Sequence, residues 1–104
     1  MTAYERGADF ERKVKDDLMV RSWFAVRSAG SHGKVDILAY HETYALFIQC
    51  KKDGAFSPKE KKELLRLAKK HSAVPLLADK HCGAIRYRMV NKDRKGFYFD
   101  DFSP

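Results

Sequence analysis

Residues 35–51 read VDILAYHETYALFIQCK, and their pattern decides the fold. Two apolar runs, 35–40 and 44–51, flank a short polar turn, His41-Glu42-Thr43. Runs rich in β-branched and aromatic residues on either side of a turn predict two strands. Tyr44-Ala45-Leu46-Phe47-Ile48 is apolar on both faces, which predicts a central strand covered from both sides. Side chains alternate along a strand, so Gln49 and Lys51 point one way and Cys50, an inward core thiol, points the other. If the two strands pair, Asp36 meets Gln49 and Lys51 at one edge of an otherwise apolar hairpin.

On the N-terminal side, residues 4–21 predict a helix, because Phe10, Val14 and Leu18 recur every fourth position and make one apolar stripe. Glu11 borders that stripe and can look into the fold. Residues 23–27 predict a first strand, and 28–33 a small, polar, glycine-containing connection. On the C-terminal side, Ser57, Pro58 and Glu60 form a helix start: serine caps, proline takes the first position, and glutamate closes a capping box. The helix turns Leu64, Leu65, Leu67 and Ala68 inward and lysines outward, and ends near Ser72. Strands follow at 74–78 and 84–90, with a basic turn over 91–96 and a short strand or docked aromatic tail at 97–99. The strand–helix–strand step predicts a crossover. The whole predicts one domain over residues 1–104, an α/β fold with a mixed central sheet flanked by helices.

Composition bounds the function. The 104 residues carry 21 Lys and Arg against 14 Asp and Glu, a formal net charge of +7. Such an excess on a small domain favours a polyanion or an acidic membrane surface. Nothing in the sequence is apolar for long enough to span a membrane, and the N-terminus has no signal-peptide pattern. Cys50 and Cys82 have no metal-type spacing, and reduced thiols suit a cytoplasmic, nucleoid-associated protein, whether a cell or a virus encodes it. His32, His41, His71 and His81 show no ligand pairing.

A carboxylate, an amide and a lysine converging in a basic chain suit a hard divalent cation on oxygen ligands, and so phosphodiester cleavage. Asp36 would anchor the ion, Gln49 would offer its amide oxygen, and the Cys50 backbone carbonyl would add a ligand. Lys51 would hold the phosphate or the attacking water, and Glu11 would bind directly or through water. Each residue also has a plain reading. Asp36 could merely start a strand, Gln49 and Lys51 could be a solvated strand end, and Glu11 could pair with Lys15.

Together these features resemble the PD-(D/E)XK nuclease superfamily, and within it the archaeal-type Holliday junction resolvases. The resemblance rests on Gly7 and Phe10-Glu11-Arg12 on the first helix, Arg27 and Ser31 around the first strand, Asp36-Ile37-Leu38-Ala39, and Phe47-Ile48-Gln49-Cys50-Lys51. Downstream it continues in Ser57 and in Val74-Pro75-Leu76-Leu77-Ala78. It implies a restriction-endonuclease-like αβββαβ core, with Glu11, Asp36, Gln49 and Lys51 as the catalytic set. It also implies Mg²⁺ with Mn²⁺ as a substitute, and a homodimer making paired cuts in four-way DNA junctions. Arg12, Arg27, Ser31, His32, Lys34 and Lys52 would contact DNA. The family usually has Glu where this chain has Gln49, and the Gln-x-Lys ending is shared with Mrr-type restriction endonucleases. The alternatives are therefore a restriction- or repair-type endonuclease of the same superfamily, or a non-catalytic DNA-binding module.

Overall fold

The computed structural model describes residues 2–28 and 35–104. In chain order the elements are α1 (Ala3–Val20), β1 (Phe24–Arg27), β2 (Ile37–His41), β3 (Tyr44–Cys50), α2 (Pro58–Lys70), β4 (Val74–His81), β5 (Ala84–Asp93) and β6 (Gly96–Asp101). The six strands form one sheet in sequence order. Every neighbouring pair is antiparallel except β3 and β4, which run parallel and are joined through α2. This is the mixed sheet flanked by helices that the alternation of patterns predicts.

One helix covers each face. Phe10, Val14 and Leu18 of α1 pack on Ala25, Ile37, Ala39, Leu46, Ile48, Leu76, Ala78 and Tyr87. On the other face Leu64 of α2 joins Val35, Phe56, Leu77 and Val90. Four successive residues of β4, Leu76 to Asp79, are buried, as a strand covered on both sides requires. Because side chains alternate, Leu46, Ile48 and Cys50 of β3 face α1, whereas Phe47, Gln49 and Lys51 face α2.

Local chemistry fixes the ends of the elements. Ser57 Oγ accepts from the Glu60 amide at 3.2 Å while the Ser57 amide donates to Glu60 Oε1 at 3.3 Å, the reciprocal capping box. Both helices stop in the same way. Ser22 and Ser72 take left-handed backbone conformations, and the next amides, Trp23 and Ala73, donate back to the carbonyls of Leu18 and Ala68.

The C-terminal hairpin is longer than the sequence suggests. Residues 91–93 continue β5 and pair with residues 96–98 of β6, where the pattern predicts a basic turn. Cations along this ribbon hide its strand character, yet they lie over aromatic rings. Lys92 Nζ is 5.4 Å from the Phe97 ring centre, Lys61 Nζ 5.1 Å from that of Phe99, and the Arg88 guanidinium 4.3 Å from that of Phe99.

Candidate metal and phosphodiester site

The site forms where β2 begins and β3 ends. Asp36 immediately precedes β2; its amide donates to the Ile48 carbonyl at 2.8 Å, and its carbonyl accepts from Ser28 at 2.9 Å. The side chain reaches across to the end of β3, where Oδ2 accepts from the Cys50 amide at 2.8 Å. Burial raises the Asp36 pKa to about 6; the Cys50 amide and Lys51 pull it down, and the charges of Glu11 and Glu60 push it up. These causes also establish that Glu11, Lys51 and Glu60 all lie within electrostatic reach of Asp36.

Gln49 is buried, and its Oε1 has no hydrogen-bond partner among the described residues. A buried amide oxygen left in that state costs on the order of 1–3 kcal/mol. Cys50 is half-buried, and burial first, then the charges of Asp36 and Glu11, push its thiol well above the ordinary range. It therefore stays protonated, which leaves its backbone carbonyl, not a thiolate, as the group it could offer a cation. The Lys51 ammonium sits 2.6 Å from Glu60 Oε2. Glu11, on α1, is held by Arg27 from the end of β1, with NH2 and Nε each 3.4 Å from Oε1. The pairing with Lys15 that helix spacing allows is thus replaced by a contact across elements.

Arg12 is exposed on α1. Lys52 is exposed and lines a cleft with Arg6, Gly7, Cys50, Lys51, Asp53 and Lys80. Ser31, His32 and Lys34 lie outside the described residues.

Two features escape a reading of the sequence alone. Glu60 looks like a helix cap, and only the fold turns its second oxygen to Lys51. Asp79 looks like a strand end, yet the residue is 2% exposed, and it binds Arg86 at 2.7 and 3.0 Å and Arg88 at 3.1 Å. The β3–β4 register puts Asp79 beside Lys51 on the same face. Burial alone would raise the Asp79 pKa, but the Arg86 and Arg88 guanidinium groups hold it below the usual carboxylate value. Gly54, at φ 76°, passes so close that a Cβ there would sit 3.1 Å from Asp79 Oδ2. Parity along β4 is the only signal that could have placed Asp79, because Leu77 two residues earlier is a core residue of the α2 face.

The donor set suits a hard cation. Two carboxylates, a partnerless buried amide oxygen and a strand-end carbonyl are oxygen ligands of the kind Mg²⁺ and Mn²⁺ accept. Among the described residues no three of His, Cys, Asp and Glu gather as a metal-binding group, so this set depends on the amide and the carbonyl.

The family described as archaeal Holliday junction resolvase (Hjc) matches residues 2–99. No curated protein matches the chain. Among solved structures, Hjc of Archaeoglobus fulgidus, described as a Holliday junction resolvase from an archaeal hyperthermophile, is 24% identical. The match covers 92% of this chain and 84% of that one, with a TM-score of 0.68. At that identity the likeness establishes the shared fold.

Proposed function

The chain belongs to the archaeal Holliday junction resolvase family, which makes it a structure-selective nuclease of DNA junctions, and we propose that Glu11, Asp36, Gln49 and Lys51 form its cutting centre. The family depends on divalent metal. We take the ion to be Mg²⁺, with Mn²⁺ as a substitute, held by Asp36, Gln49, the Cys50 carbonyl and Glu11. The unpartnered Oε1 of buried Gln49, beside a carboxylate whose charge burial disfavours, is the observation that carries this reading. Such a cation supplies Lewis-acid polarisation of the scissile phosphodiester when bound.

The chain's own residues do the rest. Asp36, tied to the Cys50 amide, fixes the relation between the two strand ends. Arg27 keeps Glu11 turned toward the strands. Lys51 presents an ammonium to a phosphate oxygen or the attacking water. Lys52, Lys80 and Arg6 line the adjoining cleft and suit the flanking DNA backbone, with Arg12 exposed on the same helix as Arg6. Ser31, His32 and Lys34 would add contacts from the connection between β1 and β2. Binding made of phosphate contacts should weaken steeply with salt.

Two opposed strands of a junction need two centres, so the working unit is a homodimer with residues 1–104 as one nuclease domain in each copy. Phe24 and Val26 of β1 and Leu38 and Tyr40 of β2 give this face its partner surface: they pair across the hairpin, share one face of it, and are 39–70% exposed. The described residues include no helix long and apolar enough to cross a membrane, and a cytoplasmic, nucleoid-associated site of action fits a DNA substrate.

The test is cleavage of a synthetic four-way junction with Mg²⁺ or Mn²⁺, beside Asp36→Ala. Paired cuts by the parent and none by the variant are expected. A parent that never nicks any form of DNA would refute the reading.

A further inference from the structure

We propose that Glu60, in the first turn of α2, is the positioning residue for Lys51, and that its carboxylate supplies the site with the negative charge that position 49 lacks. This rests on the assignment of the cutting centre above.

The geometry is specific. Glu60 uses its two oxygens for different purposes: Oε1 accepts from the Ser57 amide at 3.3 Å, and Oε2 lies 2.6 Å from the Lys51 ammonium. The first contact fixes the carboxylate to the helix start, so the second is made by a side chain that is already anchored. Lys51 is tethered as well, its amide donating to Ala78 at 2.9 Å and its carbonyl accepting from Gly54 at 2.7 Å. With both backbones held, the ion pair sets where the ammonium points.

Charge gives the pair a second consequence. Gln49 is neutral and sits two residues before Lys51 on the same face. An ammonium with no counter-charge would repel a cation bound by Asp36 and Gln49. Glu60, paired with the Lys51 ammonium, offsets that repulsion, and its own charge reaches Asp36. The carboxylate that would ordinarily precede the lysine on its strand is thus replaced by one delivered from the following helix.

A capping role alone would account for the Ser57 contact but not for the Lys51 contact, and the two roles separate cleanly. Glutamine is accepted at the third helical position of a capping box, so Glu60→Gln keeps the cap and removes the charge. The experiment compares the parent, E60Q, the charge swap Q49E/E60Q, and D36A as control. Four readouts are taken: calorimetric Mn²⁺ affinity without DNA, junction affinity without metal, melting temperature, and single-turnover junction cleavage.

E60Q should keep the parent's melting temperature and junction affinity. Its Mn²⁺ affinity and cleavage rate should fall about 10- to 100-fold, the usual effect of losing a partner that orients a site residue. Q49E/E60Q should regain both, because the site's total charge is restored. Parental Mn²⁺ affinity and cleavage in E60Q would overturn the inference. So would a charge swap as weak as E60Q, or a lowered melting temperature with no rescue, either of which would leave Glu60 a cap. If D36A is dead while E60Q is parental, only the role of Glu60 falls. If D36A cleaves like the parent, the site itself is misassigned and both fall.

Discussion

The Cys50 amide donates to Asp36 Oδ2 at 2.8 Å, so the carboxylate of one strand's first turn is bonded to the backbone of its neighbour's last residue. The contact fixes the Asp36 carboxylate relative to a strand end, and among the described residues no ion pair engages it.

Asp36 sets a pH dependence. Its pKa is raised from the ordinary 3.8 to about 6 by burial, against the opposing Cys50 bond. The folded protein therefore holds this proton more tightly than the unfolded chain does. The resulting stabilisation is complete below 3.8 and is lost as pH rises through about 6. Asp36→Asn should melt higher than the parent in metal-free buffer above that range, and the gain should vanish in acid. Parallel melting-temperature profiles for the two proteins would contradict this.

Removal of the acid or the ammonium should separate binding from chemistry. Asp36→Ala and Lys51→Ala should each slow junction cleavage by roughly 10²–10³-fold or more, the scale of one electrostatic group at a reacting centre. Gel-shift affinity for the junction in metal-free buffer should survive in both. Loss of affinity equal to the loss of rate would assign these residues to DNA binding.

Gln49→Glu should tighten Mg²⁺ binding, because a carboxylate replaces a neutral, partnerless oxygen at a buried position. Titration calorimetry reads this directly. Unchanged affinity would mean that the side chain at position 49 does not face the ion.

The Asp79 cluster is structural. Asp79 is 2% exposed and pairs with two arginines, so Asp79→Ala leaves Arg86 and Arg88 without this partner next to the loop that carries Lys51. Because both arginines are partly solvated, the loss should fall short of that for a fully buried pair yet exceed that of an ordinary surface substitution. Denaturant unfolding measures the loss. A change within 0.5 kcal/mol or so, ordinary for a surface site, would show that the cluster carries no stability.

The β1–β2 face should decide the oligomeric state. Tyr40→Glu, at an exposed position surrounded by Phe24, Val26 and Leu38, should give monomers by light scattering. On a plasmid-borne cruciform the same variant should yield nicked circles where the parent yields linear DNA. A variant that remains dimeric places the interface elsewhere.

Much of this is legible in the sequence. The four-residue spacing of Phe10, Val14 and Leu18 fixes the buried side of α1, and the doubly apolar run at Tyr44–Ile48 marks the central strand. The capping box at Ser57 and Glu60 marks the helix that makes the parallel crossover. Alternation is strict, so the shared face of Gln49 and Lys51 follows from counting. Contacts between elements distant in sequence could not be read. Glu11 meets Arg27 across 16 positions, and Tyr87 donates to Asp17 across 70. Asp79 is a charged residue in a strand, and composition argues for exposure until two arginines on the next strand supply the compensation. The polar stretch 91–93 resembles a turn because its aromatic partners lie on β6.

The parallel step from β3 to β4 orders events in time. Asp36 and Lys51 are synthesised before Val74–His81, and an unaccompanied hairpin of that length is marginal in water. The residues proposed to cut are therefore made before the strand that completes their sheet. If they form the cutting centre, the parallel crossover must close before they act, and a fragment ending before residue 74 should hold no Mn²⁺ and leave DNA intact.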